Sequence, residues 1–171
     1  MKFISNQIKD LAKIFKGTKD HLMNGVNYMI PVVVASGILF AISTMMVGPE
    51  QLNELTANGG TPDGLAGYFY VIGKQGMNLM VLVLSAFIAR SIAKDPGIAP
   101  GLIGGALSVY VGAGFIGGIF TGFIAGIAAY FLMKIPIPEV AGAVKPFIIV
   151  PILSVAITGF FILGVIGQPC A

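Results

Sequence analysis

The stretch from Ile98 to Met133 holds 36 residues and not one charge. A chain that keeps every ionisable side chain out of so long a run is fitted to an apolar medium. As a single helix at 1.5 Å per residue the run would be about 54 Å long, too much for one crossing of a ~30 Å hydrocarbon core. Two full crossings would need about 60 Å and a turn besides. The run therefore predicts two short or tilted elements, or one span with a re-entrant segment. Pro96, Pro100, Gly101, Gly104 and Gly105, in "DPGIAPGLIGG", mark where the short or broken element falls. Irregular backbone survives at membrane depth only where protein or a water-filled cavity surrounds it, so these five residues are candidates for a break beside a cavity. A plain inner-side turn followed by a short helix is the alternative. Gly114, Gly118, Gly122 and Gly126 then recur every four residues. Small residues on one helix face form a groove for close helix packing, and this reading is preferred to a substrate path.

Composition agrees with the apolar medium. The chain is 56% hydrophobic and only 10% charged, against about a quarter charged in soluble domains. Its 24 glycines would weaken helices in water but suit helices that approach closely in lipid. An all-α polytopic membrane protein is predicted. One cysteine and one histidine provide neither an internal disulfide nor a metal cluster, and no metal or other cofactor is expected. The first twenty residues lack the short apolar core and small-residue site of a cleaved signal peptide.

Residues 1–20 place Ile4, Ile8, Leu11 and Phe15 on one helical face, with Lys2, Lys9, Lys13 and Lys16 mostly elsewhere. Such an amphipathic helix suits the cytoplasmic membrane surface, or the protein's own cytoplasmic face. Residues 21–171 form the membrane domain. A first span is predicted from Val26 to about Met46, with Pro31 in its opening turns, and a second from roughly Tyr68 to Ile92. The loop between them carries Glu50, Glu54 and Asp63 and no cation. A last span runs from Phe147 to about Ile166, after the charged, proline-bearing loop "KIPIPEVAGAVKP". Counting Ile98–Met133 as two crossings puts nine of the ten basic residues on the inner side, leaving only Lys74 elsewhere. Five membrane segments, N-terminus in and C-terminus out, is therefore the expected topology. The cations face the inner leaflet, which argues against nucleic acid as a partner.

Three blocks, "HLMNGVNYMIPVVVASGILFAIS", "IARSIAKDPGIAPGLIGG" and "GAGFIGGIFTGFIAG", resemble the membrane-embedded IIC component of the fructose-type phosphoenolpyruvate-dependent sugar phosphotransferase system. "VKPFIIVPILSVAITGFFILGVIGQPCA" is similar to the family's next block. The resemblance implies a subunit of the bacterial inner membrane, usually a homodimer, that carries a sugar across. It also implies phosphorylation of that sugar by the phosphocysteine of IIB, supplied through HPr and a IIA histidine. No catalytic residue of the chain's own is implied. The match covers about the first half of a IIC domain, so a truncated or split IIC is expected. The Glu-containing sugar motif of the family's second half is not among these residues.

The chain has no carboxylate within its predicted spans. Among the amides, substrate contacts are expected at Asn27, Gln75 and Asn78, with Asn24 close by. Lys74 reads as a snorkelling lysine more readily than as a substrate contact. Cys170 reads as an inert thiol, since the family's reactive cysteine belongs to IIB. His21 marks the inner edge of the first span, and the system's phosphohistidines belong to IIA and HPr. Two other classes compete with a sugar permease: a membrane module that only dimerises or docks partners, and an unrelated small secondary transporter.

Overall fold

The charge-free run divides at a glycine. Helix α6 (Ile98–Tyr110) ends where Gly112 takes φ +75°, a conformation that costs a glycine nothing. The Ala113 N–H donates to the Ser108 carbonyl at 3.0 Å and the Gly112 N–H to Val109 at 3.1 Å. This pair of bonds is the Schellman ending, which satisfies the last carbonyls of a helix without water. Helix α7 (Gly114–Lys134) starts at once. The run thus holds two helices, one short and one of membrane length.

A computed structural model describes residues 2–135 and 145–166. The remaining elements, in chain order, are α1 (Lys2–Lys16), α2 (Thr18–Val47), α3 (Pro49–Ala57), α4 (Gly64–Asn78), α5 (Met80–Ala93) and a 3₁₀ turn (Asp95–Gly97) ahead of α6. After α7, helix α8 (Val150–Phe161) lies between two π turns, Lys145–Ile149 and Ile162–Ile166. There is no strand among the described residues. Among the described residues, three helices are long and apolar enough to cross a membrane: Thr18–Val47, Gly64–Ala93 (α4 continued by α5) and Gly114–Lys134. Val150–Gly164 is a shorter apolar helix, and α6 has 13 residues. The loop predicted between the first two spans contains α3, which closes with the same ending as α6: Gly59 at φ +73° and the Gly60 N–H on the Leu55 carbonyl at 2.8 Å. Glu139 and Cys170 lie outside the described residues.

Contacts divide the chain into two units, Met1–Tyr28 with Val81–Ala171, and Met29–Met80. The first is built around α5. Leu84, Ser85, Ile88 and Ala89 are wholly buried, because glycines of three helices press on this one. A methyl group at Gly101 would lie 2.7 Å from the Ala86 Cα, and one at Gly105 would lie 2.8 Å from the Leu82 Cα. One at Gly122 would lie 2.8 Å from the Ser85 carbonyl oxygen, and one at Gly126 would lie 3.0 Å from the Ala89 Cα. Gly25 of α2 is as close, with 2.9 Å to the Leu84 carbonyl oxygen. In lipid, helices gain little from excluding water between them, so backbone-to-backbone approach and interhelical hydrogen bonds carry the association. Gly104 of α6 faces Thr121 of α7 and Thr158 of α8 instead. The buried hydroxyls at this junction are satisfied locally: Ser85 and Thr121 bond each other at 3.0 Å, Thr121 also donates to Gly118, and Thr158 donates to Ser154.

The four-residue register of glycines predicts one face from Gly114 to Gly126. Gly118, Gly122 and Gly126 do lie against α5, but Gly114 sits at φ +54° with open space around it. It opens the helix after the turn and takes no part in the packing. In the N-terminal helix the described side chains divide at the edge of the apolar stripe. Ile14 is buried while Phe15 is 66% exposed, and Asp10 pairs with Lys134 at the end of α7. The Asp10–Lys134 pair links α1 to the end of α7 within the unit.

The second unit uses the same device on a smaller scale. Gly73 of α4 approaches the backbone of α2, where a methyl would lie 2.6 Å from the Phe40 nitrogen, and Gly76 lies against Ser36. Buried Ser43 donates to the Ala66 carbonyl at 2.8 Å. Tyr70 packs near Phe40 with ring centroids 5.7 Å apart and accepts a 2.8 Å hydrogen bond from Lys74.

Candidate functional site

Polar side chains in the first unit gather where the start of α2 meets the end of α5. His21, Asn24 and Tyr28 are three and four residues apart, so they share one face of α2. Phe87, Arg90 and Ser91 form the answering face of α5, and Lys94 follows just past its end. A basin of about 290 Å³ lies between them, lined by Asn24, Arg90, Ser91, Lys94 and Asp95.

Its hydrogen bonds can be assigned atom by atom. Ser91 has one hydroxyl proton and gives it to the Ile88 carbonyl at 2.7 Å. In the 2.8 Å contact between His21 Nδ1 and Ser91 Oγ, the imidazole N–H is therefore the donor. Nε2 then points toward Gly17, where a methyl would lie only 3.1 Å away. The Arg90 Nε donates to Asp95 Oδ1 at 3.2 Å, and its guanidinium carbon stands 5.7 Å from the centre of the Phe87 ring. Phe87 in turn stacks on Tyr28 with centroids 4.0 Å apart and planes 11° from parallel. The aromatic pair forms a floor that holds the guanidinium in place by cation–π attraction.

Lys94 is the strained member. Its φ of 62° and ψ of −150° lie where side-chain-bearing residues rarely go. Such a backbone costs about 1–3 kcal/mol and persists where the surroundings over-determine it. Its amide donates to the Arg90 carbonyl at 2.8 Å and its carbonyl accepts from Gly97 at 3.0 Å, which locks the turn. The ammonium has no partner among the described residues and is exposed.

The residues picked from sequence are distributed otherwise. Asn27 is exposed on α2 in the first unit, and Gln75 and Asn78 are exposed on α4 in the second. Pro96 lies in the 3₁₀ turn, while Pro100, Gly101, Gly104 and Gly105 are buried in an unbroken α6. Pro100 falls in the first turn of that helix, where a missing N–H leaves no bond unmade. The backbone changes direction at Lys94–Gly97 and not at Pro100. An apolar cavity of about 480 Å³ does lie beside that turn, lined by Asp95, Pro96, Ile98, Ala99, Leu102, Met133, Pro146 and Pro151. Arg90, Ser91, Lys94 and Asp95 were not among the sequence candidates as a site. The signal was present in "ARSIAKDPG", whose polar residues repeat at helical spacing before a proline turn. No group of histidine, cysteine and acidic side chains among the described residues could hold a metal ion.

No family model matches the chain, and no solved structure matches it. Curated proteins do. The chain is 39% identical over 166 residues to the fructose-like permease IIC component 2 of Escherichia coli K12, covering 95% of this chain and 44% of that protein. It is 38% identical to the fructose-specific EIIABC component of Bacillus subtilis, over 88% of this chain and 24% of that one. It is 32% identical to the fructose-specific EIIC component of Haloferax volcanii, over 97% of this chain and 48% of that one. The chain thus spans less than half the length of these relatives. With membrane-length helices and this similarity through most of its residues, the chain belongs to the fructose-type IIC components of the phosphotransferase system and corresponds to part of such a component.

Proposed function

We propose that the chain is part of a sugar-translocating IIC permease of the bacterial inner membrane, working with IIB, which phosphorylates the sugar. The observation that carries this reading is the 39% identity to a fructose-like permease component across 95% of the chain. Relatives named as EIIABC and EIIB'BC components support IIA and IIB as partners, because there the corresponding pieces share one polypeptide. HPr as the phosphoryl source, and a homodimer, follow from the family resemblance.

The proposed topology keeps the N-terminus inside. Within the first unit, Asp10 reaches Lys134 and His21 reaches Ser91. The start of α2 and the ends of α5 and α7 are thereby joined to the Lys-rich N-terminal helix at one end of the unit. That end collects Lys9, Lys13, Lys16, Lys19, Arg90, Lys94 and Lys134, which favours the inner side. On this reading α6 and α7 leave and return to the same face, and α8 is the fifth segment.

Transport is tested with radiolabelled fructose. Cells lacking their own fructose permease receive this chain, alone or with the remaining part of a relative's IIC domain, together with IIA, IIB and HPr. Uptake and phosphorylation are expected when both parts are present. Failure of both activities, with both parts located in the membrane, overturns the reading. A thiol probe placed at Lys19→Cys, reactive only from the cytoplasm, checks the orientation.

A further inference from the structure

We infer that the Arg90–Lys94 basin and the apolar cavity beside it together hold one anionic phospholipid, its phosphate in the basin and an acyl chain in the cavity. Asp95 lines both spaces, so they adjoin. The basin's donors exceed what the protein uses. Arg90 bonds Asp95 and Tyr28 and has further N–H groups in its planar fork, and the Lys94 ammonium has no partner among the described residues. Two cations against one carboxylate leave a net positive charge, and the Ser91 hydroxyl and Asn24 amide stand at the same rim. Charge-assisted bonds to phosphate are the use to which such a set is suited.

The neighbouring cavity selects the kind of phosphate. At about 480 Å³ it is of ligand size. Beyond Asp95, its lining is proline and aliphatic, from Pro96, Ile98, Ala99 and Leu102 to Pro151. A free phosphate or a sugar phosphate would leave that surface uncovered, whereas a diacyl lipid fills both spaces. The strained backbone of Lys94 belongs to the same account. Glycine would relieve the strain there but would remove the ammonium that lines the basin. The inference needs the chain to lie in a membrane and does not depend on which sugar, if any, it carries.

The test is native mass spectrometry of this chain, ejected from detergent micelles that contain equal phosphatidylglycerol and phosphatidylcholine. One phosphatidylglycerol is expected to stay bound in preference to phosphatidylcholine. Lys94→Gln should weaken that retention about fivefold, the effect of one cation at a membrane surface, and Lys94→Arg should restore it. Ala99→Phe, which narrows the cavity without touching a charge, should weaken it as well. Circular dichroism confirms that each variant remains folded. Equal retention of the two lipids, or no change in Lys94→Gln, overturns the assignment. If inorganic phosphate displaces the lipid while Ala99→Phe has no effect, the basin takes phosphate alone and the lipid assignment fails.

Discussion

Two parts of the same helix use small polar residues in opposite ways. Near its start, α5 presents Ser85 in a buried seam, where the hydroxyl bonds Thr121 of α7 and glycines bring the backbones together. Toward its end it presents Arg90 and Ser91, with Lys94 just beyond, to an open basin. The seam is defined by distances that leave no room for a methyl group. The basin is defined by charge and by a strained turn. In the seam, added atoms should be harmful and lost hydrogen bonds tolerable. In the basin, changes of charge should alter what binds and barely alter stability.

Gly122→Val gives the largest expected effect. Even the first added carbon would meet the Ser85 carbonyl at 2.8 Å and the Ile88 Cβ at 2.9 Å, and a carbonyl of a packed helix cannot rotate away. Overpacking of this kind costs about 1–3 kcal/mol, and β-branching adds to it. The melting midpoint in detergent, read by circular dichroism, should fall by several degrees. Gly37→Ala provides the contrast, since nothing lies within 4 Å of that position on α2. It should gain up to about 1 kcal/mol from helix propensity alone. Equal effects at the two positions would show that the seam is not close-packed.

Lys94→Gly is next in size and opposite in sign. Relief of the φ 62° backbone is worth about 1–3 kcal/mol, offset by about 0.5–1 kcal/mol for a more flexible unfolded chain. A net gain of about 1 kcal/mol is expected, with phosphatidylglycerol retention weakened as in Lys94→Gln. A stability gain with unchanged lipid retention would separate the strain from any role in binding.

How much of this was legible beforehand differs between the two parts. The seam was partly visible, because a glycine every fourth residue can only form one helical face. Its exception, Gly114, depended on where the charge-free run would turn, which is decided by hydrogen bonds around Gly112 and by nothing in the periodicity. The two prolines differ: Pro96 lies in the turn that follows Lys94, whereas Pro100 is harmless in a first helical turn. The basin was not legible as a site. His21 and Ser91 are seventy positions apart, and only the fold brings them together. The amides chosen instead, Asn27, Gln75 and Asn78, were picked for polarity in an apolar run, a criterion blind to which helix faces meet.

Thr121→Val tests the seam by subtraction, with a smaller effect. Valine keeps the shape and removes a hydroxyl that bonds both Ser85 and the Gly118 carbonyl. Interhelical hydrogen bonds in membrane proteins average about 0.6 kcal/mol and seldom exceed ~1.7 kcal/mol, because the unfolded helices also find partners in the membrane. The expected loss is therefore well below that of Gly122→Val, even though Thr121 is completely buried. The ranking matters more than either value. If deleting the hydroxyl proved as costly as inserting carbon at Gly122, as read from the two melting midpoints side by side, polar bonding would hold the seam and close approach would be its consequence.

Asp95→Asn should have the smallest effect on stability and is the more informative for that. The carboxylate is 78% exposed and the Arg90 side chain 40%, so their 3.2 Å pair is solvated and screened by salt. Asparagine can still accept the Arg90 N–H, and the turn from Asp95 to Gly97 keeps its backbone bond to Lys94. The melting midpoint should not move beyond measurement error at physiological salt. Binding should move, because the neutral side chain no longer opposes an anion between the basin and the cavity. Phosphatidylglycerol retention is expected to rise in Asp95→Asn while phosphatidylcholine retention stays constant. A fall in the melting midpoint with no change in lipid preference would make the Arg90–Asp95 pair a structural clasp, and the contrast between a packed seam and a binding basin would no longer hold.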